Sequence, residues 1–273
     1  MRAYGKIKVA RVAGSAGGGT APGDKGAVER ITLFNPERRN AIGPQMVNEL
    51  LWALADAAED AAVRVVLLTG DGKAFCAGGD FQQMSGGAVD QVELPHKGDY
   101  ADLLLAMTRY EKPIVARVNG HAMGGGLGLV AASHFAVAQS DAKLGTPEID
   151  VGLFPFMIMA VLARVMPRRA LLEMMLRGQK LEAVEAQRVG LIGKVVGPET
   201  LDTEIDALCT DLAGRSPAAM RLGLGAFAAQ SDMDLEAALP MLRDKLAEAL
   251  GTDDAREGLM AFLQKRKPSW TGR

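Results

Sequence analysis

The sequence predicts an α/β fold that ends in an all-helical stretch, and three observations carry that expectation. Strand-type segments alternate with helix-type segments between residues 28 and 196, the pattern of a layered α/β core. Two of the strands, 64–69 (RVVLLT) and 113–118 (PIVARV), are short and largely apolar, as strands buried on both faces are. After Gly197-Pro198 no convincing strand pattern appears. The expected division is therefore 1–197 for the core and 198–273 for a helical region.

Composition narrows the function class. Of 273 residues, 48% are apolar and 23% charged, with a net charge of -2. Such a balance fits a globular protein and gives no electrostatic reason to bind nucleic acid or an anionic membrane. No apolar run approaches the roughly 20 residues of a membrane span, and residues 1–10 lack the long apolar core of a signal peptide. The two cysteines, Cys76 and Cys209, are far apart and without metal-ligand spacing, which fits a reducing compartment. A cytoplasmic location is expected. His96, His121 and His134 are too scattered to read as a metal site.

The elements follow in order. Residues 5–13 alternate as a strand does, and 14–23 (GSAGGGTAPG) form a glycine-rich connector. The connector lacks the Gly-Lys-Ser/Thr ending of a phosphate loop, and no helix pattern follows it, so a long hairpin turn is expected. Residues 28–34 return as a strand rich in β-branched and aromatic residues. Pro44 suits the first turn of a helix, in which Met46, Val47, Leu50, Leu51, Leu54 and Ala58 recur every three or four residues. Residues 82–99 are irregular, and His96 among them reads as an exposed loop histidine. A helix over 100–110 turns Leu103, Leu104 and Met107 inward. The pattern becomes helical again over 125–132, so glycines sit at a helix N-terminus, where free N–H groups and positive partial charge favour an anionic oxygen. A strand at 135–139, helices at 157–166, 169–176 and 181–189, and a strand at 192–196 complete the core. Beyond it, Ser216-Pro217 is a strong helix start. Residues 234–250 are amphipathic, with Pro240 expected to kink or split them, and Thr252 or Asp253 starts a last helix.

Two glycine-rich runs punctuate this order, 73–81 (KAFCAGGDF) and 123–129 (MGGGLGL), each after an apolar strand-type segment. Each offers backbone N–H groups with few side chains in the way, and two such groups aimed at one spot stabilise a developing oxyanion. Either run alone is equally an ordinary tight turn. Together with 35–42 (NPERRNAI) before them, Asn119-Gly120 between them, 145–149 (GTPEI) after them and 262–268 (FLQKRKP) near the end, they form an ordered set. That set resembles the crotonase superfamily, the enoyl-CoA hydratase/isomerase family, from about residue 28 to 270.

The resemblance implies a spiral of ββα turns for the core and a C-terminal helical trimerisation region, hence a homotrimer or a dimer of trimers. It implies an acyl-CoA thioester as substrate, whose enolate is held in a backbone oxyanion hole, with coenzyme A part of the substrate and no metal or redox cofactor. The hole maps to the N–H groups of Gly79 and Gly125, and Glu148 of the Pro-Glu-Ile segment maps to an acid/base. Hydratases of the family use a second glutamate just after the triple glycine, where this chain has Gly128. One carboxylate can still move a proton between two carbons, so isomerase chemistry is expected beside hydratase-like chemistry. A non-catalytic CoA-thioester-binding protein and a related decarboxylase or hydrolase are the alternatives. Ser85 and Ser133, candidates for a serine hydrolase of a related spiral fold, lack a Gly-x-Ser-x-Gly context. For CoA, the resemblance points to Arg38, Arg39 and Ala77, and to Phe262 and Lys265 reaching a neighbouring subunit's adenine and 3′-phosphate. Asp80 is expected to brace the oxyanion turn and Asp150 to be structural. The bulky residues Leu153, Phe154, Pro155, Phe156, Met157 and Met159 read either as an acyl-pocket wall or as core packing.

Overall fold

The computed structural model describes residues 2–12, 28–84 and 94–273. The expected connector at 14–23, Ser85 and residues 86–93 of the irregular stretch lie outside them. β1 (Ile7–Val12) and β2 (Val28–Leu33) pair antiparallel, from Ile7 opposite Leu33 to Val12 opposite Val28. α1 (Pro44–Glu59) starts at its proline and buries Met46, Val47, Leu50, Leu51 and Leu54. Ala53 and Ala57 complete its inward stripe, and Ala58 is exposed.

The chain then makes one manoeuvre three times. β3 (Val65–Gly70) and β4 (Ala74–Cys76) are followed by α2 (Phe81–Met84) and α3 (Tyr100–Thr108). β5 (Ile114–Val118) and β6 (His121–Met123) are followed by α4 (Gly125–Ala132). β7 (Phe135–Gln139) and β8 (Lys143–Gly145) are followed by a 3-10 turn at Pro147–Val151, then α5 (Phe156–Leu162) and α6 (Arg168–Arg177). The first strand of each pair joins a six-stranded sheet of order β1-β2-β3-β5-β7, which β10 (Lys194–Val196) completes after α7 (Ala183–Arg188). The second strand of each joins a small sheet of order β4-β6-β8, which β9 (Lys180–Glu182) extends. Neighbours within β3-β5-β7 and within β4-β6-β8 run parallel. This stepwise advance of two sheets is the spiral of ββα turns that the resemblance implies.

Several expectations are corrected here. The strands of the small sheet are three residues long, too short to show a period. The expected helix at 181–189 is β9 followed by α7, because Leu181 pairs antiparallel with Leu144 of β8. α5 stops at Leu162 rather than 166, ahead of Pro167, which disfavours helical backbone in the residue before it.

Both faces of the large sheet are covered, which explains its apolar strands. Successive strand residues point to opposite faces, so β3 gives Val66 and Leu68 to one core and Val65 and Leu67 to the other. The first core holds α1, α3 and α4. α8 (Leu201–Ala213) closes the second with Leu201, Ile205, Cys209 and Leu212. Although it follows residue 197, α8 thus packs on the core sheet. α9 (Pro217–Gln230), α10 (Leu235–Leu250) and α11 (Asp253–Leu263) follow, capped by Ser216, Asp234 and Thr252, whose side chains accept from the N–H groups of Ala219, Ala237 and Ala255. Pro240 does not split α10, which runs through it as one helix.

Candidate active site

The three parallel strands β4, β6 and β8 end level with one another. Cys76 lies opposite Ala122, and Met123 opposite Gly145. Parallel sheets bind ligands beyond the carboxyl ends of their strands. The segments that leave these ends are Gly78-Gly79, Gly124-Gly125 and Glu148. Gly78 and Gly124 both have positive φ, 111° and 48°, conformations that side chains oppose. The two runs touch: a Cβ added to Gly124 would lie 3.6 Å from the Gly78 Cα and 2.8 Å from Glu148 Oε1.

Each run presents one free N–H group. Ile42 donates to the Gly78 carbonyl at 2.8 Å, and Asp80 donates to the Ile42 carbonyl at 2.9 Å. This bridge brackets Gly79, so the Gly79 N–H points away from Ile42. Gly125 is the first residue of α4, where backbone donors have no intrahelical acceptor. Among the described residues neither N–H finds a hydrogen-bond acceptor.

The turns that hold these groups are braced by buried amides. Asn40, fully buried and with φ 60°, donates to the carbonyls of Asp71 and Ala74 at 2.9 Å and accepts from the Asn35 N–H at 3.1 Å. Asn119 accepts from the Gly70 N–H and the Thr69 hydroxyl, both at 3.0 Å, and donates to the Gly72 carbonyl at 2.9 Å. Asp80 braces the turn that carries Gly78-Gly79 by accepting from the Gln83 N–H and from Arg38. Asn40 carries a faint sequence signal, since asparagine is enriched in left-handed backbone.

Glu148 enters from the 3-10 turn after β8. It is half-buried, and its Oε2 is enclosed without a hydrogen-bond partner among the described residues. Burial raises its pKa above the usual glutamate range, opposed by a bond from its own backbone N–H. A carboxylate so placed takes and returns protons more readily near neutral pH than an exposed one. Asp150 is exposed and faces Gly178 at the end of α6, away from Glu148's role.

Gly128 is not open space. A Cβ there would lie 2.4 Å from the Tyr100 hydroxyl and 2.5 Å from Ile158 Cγ2. Tyr100, the first residue of α3, donates to the Gly125 carbonyl at 2.5 Å. Neither Tyr100 nor Ile158 belongs to a motif, and nothing in their sequence context marks them. Of the bulky residues after Glu148, Ile158 is buried whereas Phe156 and Met157 are exposed.

The residues expected to hold CoA are spread out. Ala77 donates to the Arg39 carbonyl at 3.0 Å, which joins the 35–42 segment to the Gly78-Gly79 turn. Arg39 is exposed, and Arg38 is engaged by Asp80 at 2.5 Å. Phe262 is 82% exposed near the end of α11, which packs on α9 and α10, and Lys265 follows with φ 53°. His96 is exposed as expected. His134 accepts from the Ile114 N–H, and burial lowers its pKa to about 4. Among the described residues no three His, Cys, Asp or Glu side chains are grouped to share a metal ion, and no helix is long and apolar enough to cross a membrane.

Comparison with known proteins places the chain in a family. A family model described as Enoyl-CoA hydratase/isomerase matches residues 23–273. The rat protein named enoyl-CoA hydratase domain-containing protein 3, mitochondrial, is 32% identical over 252 residues, covering 92% of this chain and 84% of the relative. A solved enoyl-CoA hydratase from Mycobacterium smegmatis superposes with a TM-score of 0.82 at 35% identity, over 89% of this chain and 95% of the other. Human enoyl-CoA hydratase domain-containing protein 3 superposes with a TM-score of 0.84 at 28% identity, over 97% of this chain and all of the other, 100%.

Proposed function

Since the chain belongs to the enoyl-CoA hydratase/isomerase family of the crotonase superfamily, a family of enzymes, we propose that it moves a proton within an unsaturated acyl-CoA thioester, as an enoyl-CoA isomerase does. The observation that supports this reading is the contrast between two positions. Glu148 offers a half-buried carboxylate whose Oε2 is enclosed and unpartnered among the described residues, and the place of a second carboxylate is Gly128, closed by neighbouring side chains.

In this reading the thioester oxygen lies between the N–H groups of Gly79 and Gly125. Glu148 removes a proton from C2 of a 3-enoyl thioester, and negative charge moves onto the thioester oxygen. The same carboxyl group then returns a proton to C4, which yields the 2-enoyl thioester. One proton leaves the substrate and one arrives, and no water is added. The steps are proton transfers, so this reaction calls for no metal or redox cofactor, and coenzyme A enters as part of the substrate.

Coenzyme A is assigned to Arg39, Ala77 and Arg38 of one chain and to Phe262 and Lys265 of a neighbour in a homotrimer or dimer of trimers. The exposure of Phe262 supports this sharing. Lys265→Ala is expected to weaken CoA binding together with activity; lost activity at unchanged CoA affinity would contradict the assignment.

The central test is mass spectrometry of 2-enoyl- and 3-enoyl-CoA thioesters incubated with the protein in deuterated water. Deuterium uptake without added water is expected, and Glu148→Gln should slow it by roughly 10²- to 10⁴-fold. Addition of water to a 2-enoyl thioester would instead select hydration, the activity in the names of the relatives.

A further inference from the structure

We propose that Tyr100 and Ile158 together determine which reaction this site performs, by closing the position at Gly128 where a second carboxylate and its water would stand. The inference rests on the assignment of Glu148 as the single acid/base group.

The geometry of Tyr100 is built rather than incidental. It opens α3 inside a reciprocal cap: Asp99 accepts from the N–H groups of Ala101 and Asp102 at 2.8 and 3.1 Å, and Asp102 accepts from the Asp99 N–H at 2.9 Å. This cap fixes the direction in which the helix leaves its first residue. The tyrosine ring reaches α4, and its hydroxyl donates to the Gly125 carbonyl at 2.5 Å. Gly125 and Gly128 lie three residues apart and so share one helix face. A Cβ added to Gly125 would stand 3.5 Å from the hydroxyl, an ordinary contact. At Gly128 the same atom would stand 2.4 Å from it, inside any real contact distance. Ile158, buried on α5, closes the other side at 2.5 Å. Tyrosine, isoleucine and glycine at these three positions therefore form one set, and any side chain at 128 must displace the Tyr100 hydroxyl and Ile158 Cγ2 from where they stand.

The hydroxyl cannot replace the missing carboxylate as a base. Burial, with Cys76 and Glu148 nearby, holds the Tyr100 pKa well above its usual value of 10.0, so at neutral pH it stays protonated and offers no phenolate base. The site keeps one base, and the set leaves no second carboxylate beside Gly128 to orient an attacking water.

The test compares water addition to trans-2-butenoyl-CoA by the wild type, by Gly128→Glu, and by the triple variant Gly128→Glu/Tyr100→Phe/Ile158→Ala. The two added changes delete the oxygen and the Cγ2 that obstruct a side chain at 128. Gly128→Glu alone is expected to melt lower than wild type and to add no water. The triple variant is expected to add water at least about tenfold faster than Gly128→Glu. Equal hydration by the single and triple variants, or a folded triple variant that adds no water, would overturn the proposal.

A second pair guards against a triple variant that does not fold. Gly128→Ala should lower Tm, and Gly128→Ala/Tyr100→Phe should recover part of the loss, because one of the two obstructing atoms is gone while Ile158 Cγ2 remains. Equal Tm in this pair would also overturn the proposal, and neither reading of Tm depends on activity. Failure of the Glu148 assignment looks different: the wild type takes up no deuterium from any thioester, or Glu148→Gln takes it up as fast as wild type.

Discussion

Glu148 ties the chemistry of the site to its stability. Burial raises its pKa above the ordinary 4.5, so the protonated form is the one the fold prefers. As pH rises through that raised value, the carboxylate becomes charged in place, which activates the base and destabilises the fold. kcat/KM should therefore climb with pH through a midpoint above 4.5. Glu148→Gln should melt no lower than wild type at neutral pH while losing turnover. A clearly lower Tm in that variant would show that the carboxylate stabilises the fold instead. Gly124 and Gly125, neighbours at the start of α4, differ in what they tolerate. Gly124 has φ 48° and ψ -123°, and a Cβ there strikes Glu148 Oε1 at 2.8 Å. Gly124→Ala is expected to cost roughly 1 to 3 kcal/mol in stability through backbone strain and to displace the carboxylate as well. Gly125 has room for a Cβ at 3.5 Å from Ile42 and Tyr100, but valine would push both and shift its own N–H. Gly125→Val should retain the far-UV CD of the fold and lose about 3 to 4 kcal/mol of transition-state stabilisation. Wild-type turnover in that variant would sink the oxyanion assignment.

At the scale of elements, the C-terminal helices are joined by one side chain. Asp254, in the first turn of α11, is 1% exposed. It accepts from the Ser216 hydroxyl at 2.7 Å, from the N–H groups of Thr271 and Gly272 at 2.8 and 3.0 Å, and from the Ala218 N–H at 3.4 Å. One carboxylate thereby ties the start of α9, the start of α11 and the last residues of the chain. Burial by itself would raise its pKa; the bonds from Ser216, Thr271, Gly272 and Ala218 outweigh burial and hold it low. The sign follows: Asp254 stabilises this junction above the unfolded aspartate pKa, and the contribution is lost as pH falls through the lowered folded value. Asp254→Ala should cost roughly 3 kcal/mol, since several buried donors lose their acceptor. Hydrogen exchange should report faster opening of α11 and of residues 264–273, with β3 and β5 unaffected; unchanged protection of α11 would refute the junction.

At the scale of the whole molecule, α10 and α11 carry apolar residues that the single chain leaves uncovered. Leu235, Leu239, Leu246 and Leu250 on α10, and Leu259 and Leu263 on α11, are all more than half exposed. Burying one such side chain is worth about 1.5 to 3 kcal/mol, so this face supports the proposed assembly with further copies. Light scattering on the wild type should give a trimer or hexamer mass. Leu246→Glu/Leu250→Glu should shift it downward without loss of helical CD. A wild-type monomer at micromolar concentration would refute the assembly and, with it, the sharing of Phe262 and Lys265 between copies.

The residues that chemistry marks locally were readable in the chain. Gly79, Gly125 and Glu148 stand in glycine-rich and Pro-Glu segments whose backbone demands leave a trace in residue type, and the long alternation of apolar strands and helices announced the α/β core. Composition and periodicity could not reach the spiral itself, because β4, β6, β8 and β9 are three residues each and acquire meaning only through their partners across the sheet. The resemblance points Arg38 toward CoA, and only the structure pairs it with Asp80, 42 positions away. Tyr100 read as the first residue of an amphipathic helix, 28 positions before the glycine whose space it fills. The sequence alone identified the groups proposed to stabilise an oxyanion and move a proton, since the residue types that suit those tasks are visible along the chain. Tertiary structure decided what closes the empty position beside them, since occupancy of space depends on side chains brought together from α3, α4 and α5.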